Sequence, residues 1–164
     1  MSKNMVRATT FVMALLVAGA YWYMNAESAP AQKFVFADAS DPKLVRVGKG
    51  LYANNCASCH GANLEGQPNW REPLADGTLP APPHDETGHT WHHPDMMLFG
   101  TTKFGGQAFA PDGFKSAMPS FGEQLSDEDI LATLAYIKSR WPDEVQQRQN
   151  AGNEKLKLQM ESTQ

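Results

Sequence analysis

The sequence predicts an all-α fold of three to four helices joined by long loops, on three observations. Two segments, near Pro42 and Ser126, pair helix-start signals with apolar residues at helical spacing. Between them, residues 61–90 hold Gly61, Gly66, Pro68, Pro73, Gly77, Pro80, Pro82, Pro83 and Gly88, which break every helix that could start there. A structureless stretch of that length is unusual in a compact domain unless it wraps around something. The third observation is the motif CASCH, Cys56 to His60, which says what is wrapped.

At the amino end, residues 8–24, ATTFVMALLVAGAYWYM, carry no charge and follow Lys3 and Arg7, the arrangement of an export signal. The run of about 17 residues is at the short end of what spans a bilayer. Ala18-Gly19-Ala20 offers a cleavage site, which would give a soluble periplasmic product. Tyr21, Trp22 and Tyr23 argue instead for an uncleaved anchor, since such rings settle at the membrane boundary. We adopt the anchor, residues 1–24, which places the rest of the chain on the periplasmic side of a bacterial inner membrane. Either reading exports the domain.

Residues 25–41 lack helical periodicity and read as a linker, with Phe34-Val35-Phe36 able to dock as a short extended piece. A helix follows, capped by Asp41 and opened by Pro42 at a position that tolerates proline. Leu44, Val47, Leu51 and Tyr52 form its expected inner face, and it runs straight into Cys56.

Two cysteines two residues apart with a histidine directly after the second form the pattern for covalent attachment of haem c. Each thiol adds across one vinyl group of the porphyrin, and His60 is brought under the iron. Cys56 and Cys59 are the only cysteines in the chain. A zinc site would want further thiolates or spaced histidines, a redox dithiol would want a βαβ context, and a disulfide closing so small a loop would gain little.

After the 61–90 loop, a helix is expected from about Pro94, with Asp95 in its positive first turn, Met97, Leu98 and Phe104 inward, and Gly105-Gly106 ending it. A loop over 105–125 carries Met118. The last helix is capped by Ser126, with Asp129 completing a capping box. Ile130, Leu131, Leu134 and Ile137 form its stripe, and Pro142 stops it after Lys138 and Arg140. Residues 143–164 read as a polar tail, open to being partly helical, with too few apolar side chains to demand a core.

Composition narrows the function. The chain of 164 residues is 41% hydrophobic, enough for a modest core. Setting aside Lys3 and Arg7 from its 14 basic residues leaves 12 against 18 acidic, a balance of −6. That argues against nucleic acid as a partner and is compatible with a basic docking face on a redox partner.

Residues 42–142 as a whole resemble a class I cytochrome c, the monohaem family. Gly48 and Tyr52 stand eight and four positions before Cys56, as in the family's first helix, and Tyr136 in LAYIK matches the aromatic of its last. The resemblance implies a cytochrome c fold wrapped around one covalently bound haem c, with these two helices crossing where glycine permits close approach. It implies that the Pro68 carbonyl accepts a bond from His60, with Pro80, Pro82 and Pro83 as rivals. It also implies that Trp91 donates to a haem propionate, with Trp70 as the competitor. Met118, in AMPSFG ahead of the last helix, matches the family's sixth ligand. Met96 and Met97 sit in a helix where core filling is the plainer reading, and Met160 lies in the tail.

His84 to Met97 puts four histidines and two methionines into fourteen residues. Copper would suit imidazole with thioether; we adopt the plainer reading, that these residues cap, bond and fill space. No catalytic constellation stands out, so the expectation is an electron carrier rather than an enzyme, passing one electron at a time between redox partner proteins. A haem-based small-ligand sensor and a haem subunit of a larger complex are the alternatives.

Overall fold

In the computed structural model, residues 36–163 are described; the proposed anchor (1–24) and most of the linker lie outside them. The described residues form five α-helices: α1 (Pro42–Asn55), α2 (Ala57–His60), α3 (Asp95–Phe104), α4 (Asp127–Ser139) and α5 (Asp143–Glu161). Two 3-10 turns, Thr90–His92 and Gly106–Phe109, punctuate the loops. Among the described residues no strand forms, only a single bridge between Thr78 and Lys115.

The caps are those the sequence announces. Asp41 Oδ1 accepts from the N–H groups of Lys43 and Leu44 at 2.8 and 3.3 Å. Ser126 and Asp129 close a reciprocal capping box.

α1 packs chiefly on α4. The contact centres on Gly48: a Cβ built there would fall inside the carbonyl of Ala132, so a residue without a side chain is required. Tyr52, 1% exposed, lies one turn on and meets Tyr136 with ring centroids 5.5 Å apart. This centre corrects the expected face of α1. Val47 lies about 100° off Gly48 and is 45% exposed, whereas Val45 packs against the core. Ile130, Leu134 and Ile137 are buried as expected.

α3 departs more. Met97 and Phe104, expected inward, are exposed. The first-turn acid, Asp95, is wholly buried and paired with Lys138 of α4, Nζ to Oδ2 2.7 Å. Its carboxylate also accepts from the Ala37 N–H at 3.0 Å and from Gln149 Nε2 at 2.7 Å, while its own N–H donates to Asn153 Oδ1 at 2.7 Å. Residues 143–161, read as tail, are thus a docked helix, and they belong to the same compact unit as the rest of the described residues. Polar side chains hold α5 where a search for apolar ones finds little.

Two outcomes follow for denaturant unfolding of the purified protein. Gly48→Ala should lower stability by about 3 kcal/mol, because overpacking against backbone has no side chain to displace. Asp95→Ala should cost about 3–5 kcal/mol by leaving Lys138 buried without a counter-charge, while replacing both by apolar residues of similar volume should cost far less. Equal losses in the single and paired variants would contradict this account.

Candidate haem site

The end of α1 and the single turn of α2 that follows it deliver both thiols and the histidine as one unit. The Cys56 N–H closes the helix on the Tyr52 carbonyl at 2.9 Å. Cys59 and His60 both turn their N–H groups back to the Cys56 carbonyl, at 3.1 and 2.9 Å. Neither cysteine is in a disulfide; Cys59 is exposed and Cys56 partly buried. Burial, and then the adjacent Cys59, push the Cys56 thiol up to about 11, so it stays protonated at neutral pH.

His60 is 8% exposed, and its Nδ1 lies 2.9 Å from the Pro82 carbonyl. Burial holds its pKa below the ordinary histidine range, with the Pro82 bond opposing. Since a carbonyl can only accept, Nδ1 of the neutral ring carries the proton. The nitrogen left for iron is Nε2.

The acceptor corrects the expectation for Pro68, which is exposed. After His60 the chain turns at once: Gly66 donates to the His60 carbonyl at 2.8 Å, and Gln67 to Ala81 at 2.9 Å. Residues 67–81 therefore form an excursion, and the proline that returns beneath the ring is Pro82. Gly66 makes the closure possible; its φ is +68°, and a Cβ there would collide with Pro83.

His84 follows directly. Its ring stacks on His60, centroids 3.9 Å apart and planes 20° apart. Burial first, then the imidazole of His60, hold its pKa well below the ordinary range. Leu64, 1% exposed and at φ +74°, accepts the His84 N–H at 2.7 Å.

Trp91 packs against the core edge and donates its indole N–H to the Glu86 carbonyl at 3.3 Å. Trp70 stacks on His89, with Arg71 4.0 Å over its ring. Among the described residues the most buried tryptophan is Trp141, 3% exposed, which donates its indole N–H to the His84 carbonyl at 2.7 Å. In the sequence it carries no signal beyond its place directly before Pro142.

Met118 stands on a second segment. It is half-buried, its carbonyl accepts from Gly106 at 3.1 Å, and its N–H donates to Ser116 Oγ at 3.2 Å. Of the histidines after Pro83, His84 stacks on His60, His89 stacks on Trp70 and meets His93 edge-on at 5.5 Å, and His92 lies against Trp91. Among the described residues no three of His, Cys, Asp and Glu gather in a way that could hold a metal ion.

Two unpaired thiols and a buried, oriented imidazole at one helix end, above a loop folded back beneath them, define an all-α protein fitted for a covalent haem. Residues 45–141 match the family described as Cytochrome c; that is more than half of the chain, and the chain belongs to this family. Its cofactor is one haem c, attached through Cys56 and Cys59, and its class of function is haem electron transfer.

The cytochrome bc1 complex cytochrome c subunit of Mycobacterium tuberculosis is 41% identical over 58 residues, 35% of this chain and 20% of that protein. The Cbb3-type cytochrome c oxidase subunit CcoP of Rubrivivax gelatinosus is 35% identical over 68 residues, 42% of this chain and 21% of that protein. That of Azospirillum brasilense is 28% identical over 99 residues, 60% of this chain and 29% of that protein. The matches thus span less than a third of each of these relatives. No solved structure matches.

Replacing one cysteine should leave haem bound by a single thioether, whereas the double variant Cys56→Ala/Cys59→Ala should lose it from the denatured chain. Intact mass and haem staining of the denatured protein read this. Retention of haem by the denatured double variant would contradict the assignment.

Proposed function

We propose that the chain is a one-electron carrier whose haem iron is held between His60 and Met118. The observation that carries this reading is His60 itself: buried, with Nδ1 committed to Pro82, and adjacent to both thiols. Bound haem supplies the ferric/ferrous couple, and a thioether as sixth ligand would raise its potential and leave no open coordination site. The remaining work falls to the protein: orienting the imidazole, excluding water and presenting a docking surface.

Met118 supports the distal role by its place in a loop pinned to Gly106 and Ser116. In the chain leading up to that loop Phe104, Phe109 and Phe114 are exposed, with the Phe104 and Phe109 ring centroids 6.4 Å apart. Exposed apolar side chains beside a redox centre suit transient association with a partner.

The named relatives are subunits of a bc1 complex and of cbb3-type oxidases, which favours respiratory complexes as donor or acceptor and keeps the subunit role open. No helix among the described residues is long and apolar enough to cross a membrane. Membrane attachment is proposed for residues 8–24, which lie outside them, with the domain on the periplasmic side; the Trp91 bond to a haem propionate, proposed on the resemblance alone, requires its single indole N–H to leave the Glu86 carbonyl.

The ferric protein should show a weak far-red methionine-to-iron band that Met118→Ala abolishes. High-spin iron that binds carbon monoxide readily in the unmodified protein would overturn the carrier reading in favour of a ligand-binding one.

A further inference from the structure

We propose that His84 is a positioning residue for the haem ligand: stacked on His60, it fixes the plane of the coordinating imidazole. The inference rests on His60 being the axial ligand. A hydrogen bond from Nδ1 to Pro82 fixes one point on the ligand ring and leaves it free to rock about that bond. A second ring lying flat against it at 3.9 Å removes that freedom, provided the second ring is itself held.

His84 is held on every side that its bonds reach. Its Nδ1 shares a 2.8 Å hydrogen bond with Thr90 Oγ1, and Thr90 is 5% exposed and anchored to the Pro83 carbonyl at 3.4 Å. Its N–H and carbonyl are engaged by the Leu64 carbonyl and the Trp141 indole, both at 2.7 Å. Tyr52 meets the ring edge-on, centroids 6.3 Å apart. Tyr52 also donates to the Gly61 carbonyl at 2.9 Å, so the clamp is built on the same backbone turn as the ligand. An aliphatic residue would fill the volume under His60. The bond to Thr90 adds a fixed orientation, and the orientation of a ligating imidazole tunes the metal it binds.

The test uses the full-length, haem-loaded protein and three variants, His84→Ala, His84→Phe and His84→Gln. Ferric electron paramagnetic resonance g values, proton shifts of the haem methyls and the reduction potential are measured. His84→Ala should shift or broaden the g values and redistribute the methyl shifts. Its potential should fall, because water admitted beside the ligand favours the ferric form. His84→Phe, which can stack but cannot bond Thr90, should recover part of the wild-type signature; His84→Gln, which can bond but cannot stack, should not.

Wild-type g values and methyl shifts in His84→Ala overturn the proposal. So does a Phe variant as disturbed as the Gln variant, and that pair decides the matter if the Ala variant does not mature. A wild-type spectrum lacking axial histidine would fail the parent reading before any variant is compared, and the proposal with it.

Discussion

A cofactor stitched to the end of a helix can be no better placed than the helix, and α1 is placed by the absence of a side chain at Gly48. Backbone meets backbone there, with the Ala132 carbonyl where a Cβ would stand. Contact between two main chains has little compliance, because neither partner can change rotamer. Tyr52 then transmits the position forward: packed on Tyr136 behind, hydrogen-bonded to Gly61 ahead and edge-on to His84. Thiols and imidazole inherit their setting from a helix crossing two turns upstream.

A second constraint, electrostatic where the first is steric, organises the far side. Asp95 and Lys138 are removed from water together, and their attraction offsets a desolvation penalty that neither could bear alone. The remaining acceptor capacity of the carboxylate is taken up by Ala37 and Gln149. Four segments therefore meet at one charge: the end of the linker, the start of α3, the end of α4 and the middle of α5. An ion pair of this kind is weak support for net stability, but the bonds around it, from Gln149 to the Asp95 carboxylate and from the Asp95 N–H to Asn153, tie α5 to the start of α3.

Features governed by local chemistry were legible in the sequence. Asp41 and Ser126 cap, Gly105 ends α3, and CASCH announces its cofactor, because each depends on residues within a few positions of one another. What depended on distant partners was not. Asp95 carries the same local signature whether it decorates a helix end or is buried against Lys138, and only a partner 43 positions further on decides. α5 hid for a related reason. Val145, Gln149, Asn153 and Leu156 recur at spacings of four, four and three, a helical stripe whose two central members are polar. Counting apolar residues misses it; counting residues able to satisfy a buried carboxylate and a helix N–H finds it.

The proline beneath His60 shows the same limit most sharply. Pro68 lies eight positions after the ligand and Pro82 twenty-two, and only the second places its carbonyl on Nδ1. The intervening excursion costs little because its ends are already joined, Gln67 to Ala81, and closure entropy grows only slowly with loop length. Trp70 on His89 and Arg71 on Trp70 then lay part of the excursion against the segment before α3. A hydrogen bond to a metal ligand is a requirement on position in space. The chain can meet it at any sequence distance, provided the return path passes under the ring, and here Gly66 and Leu64, both at positive φ, make that path.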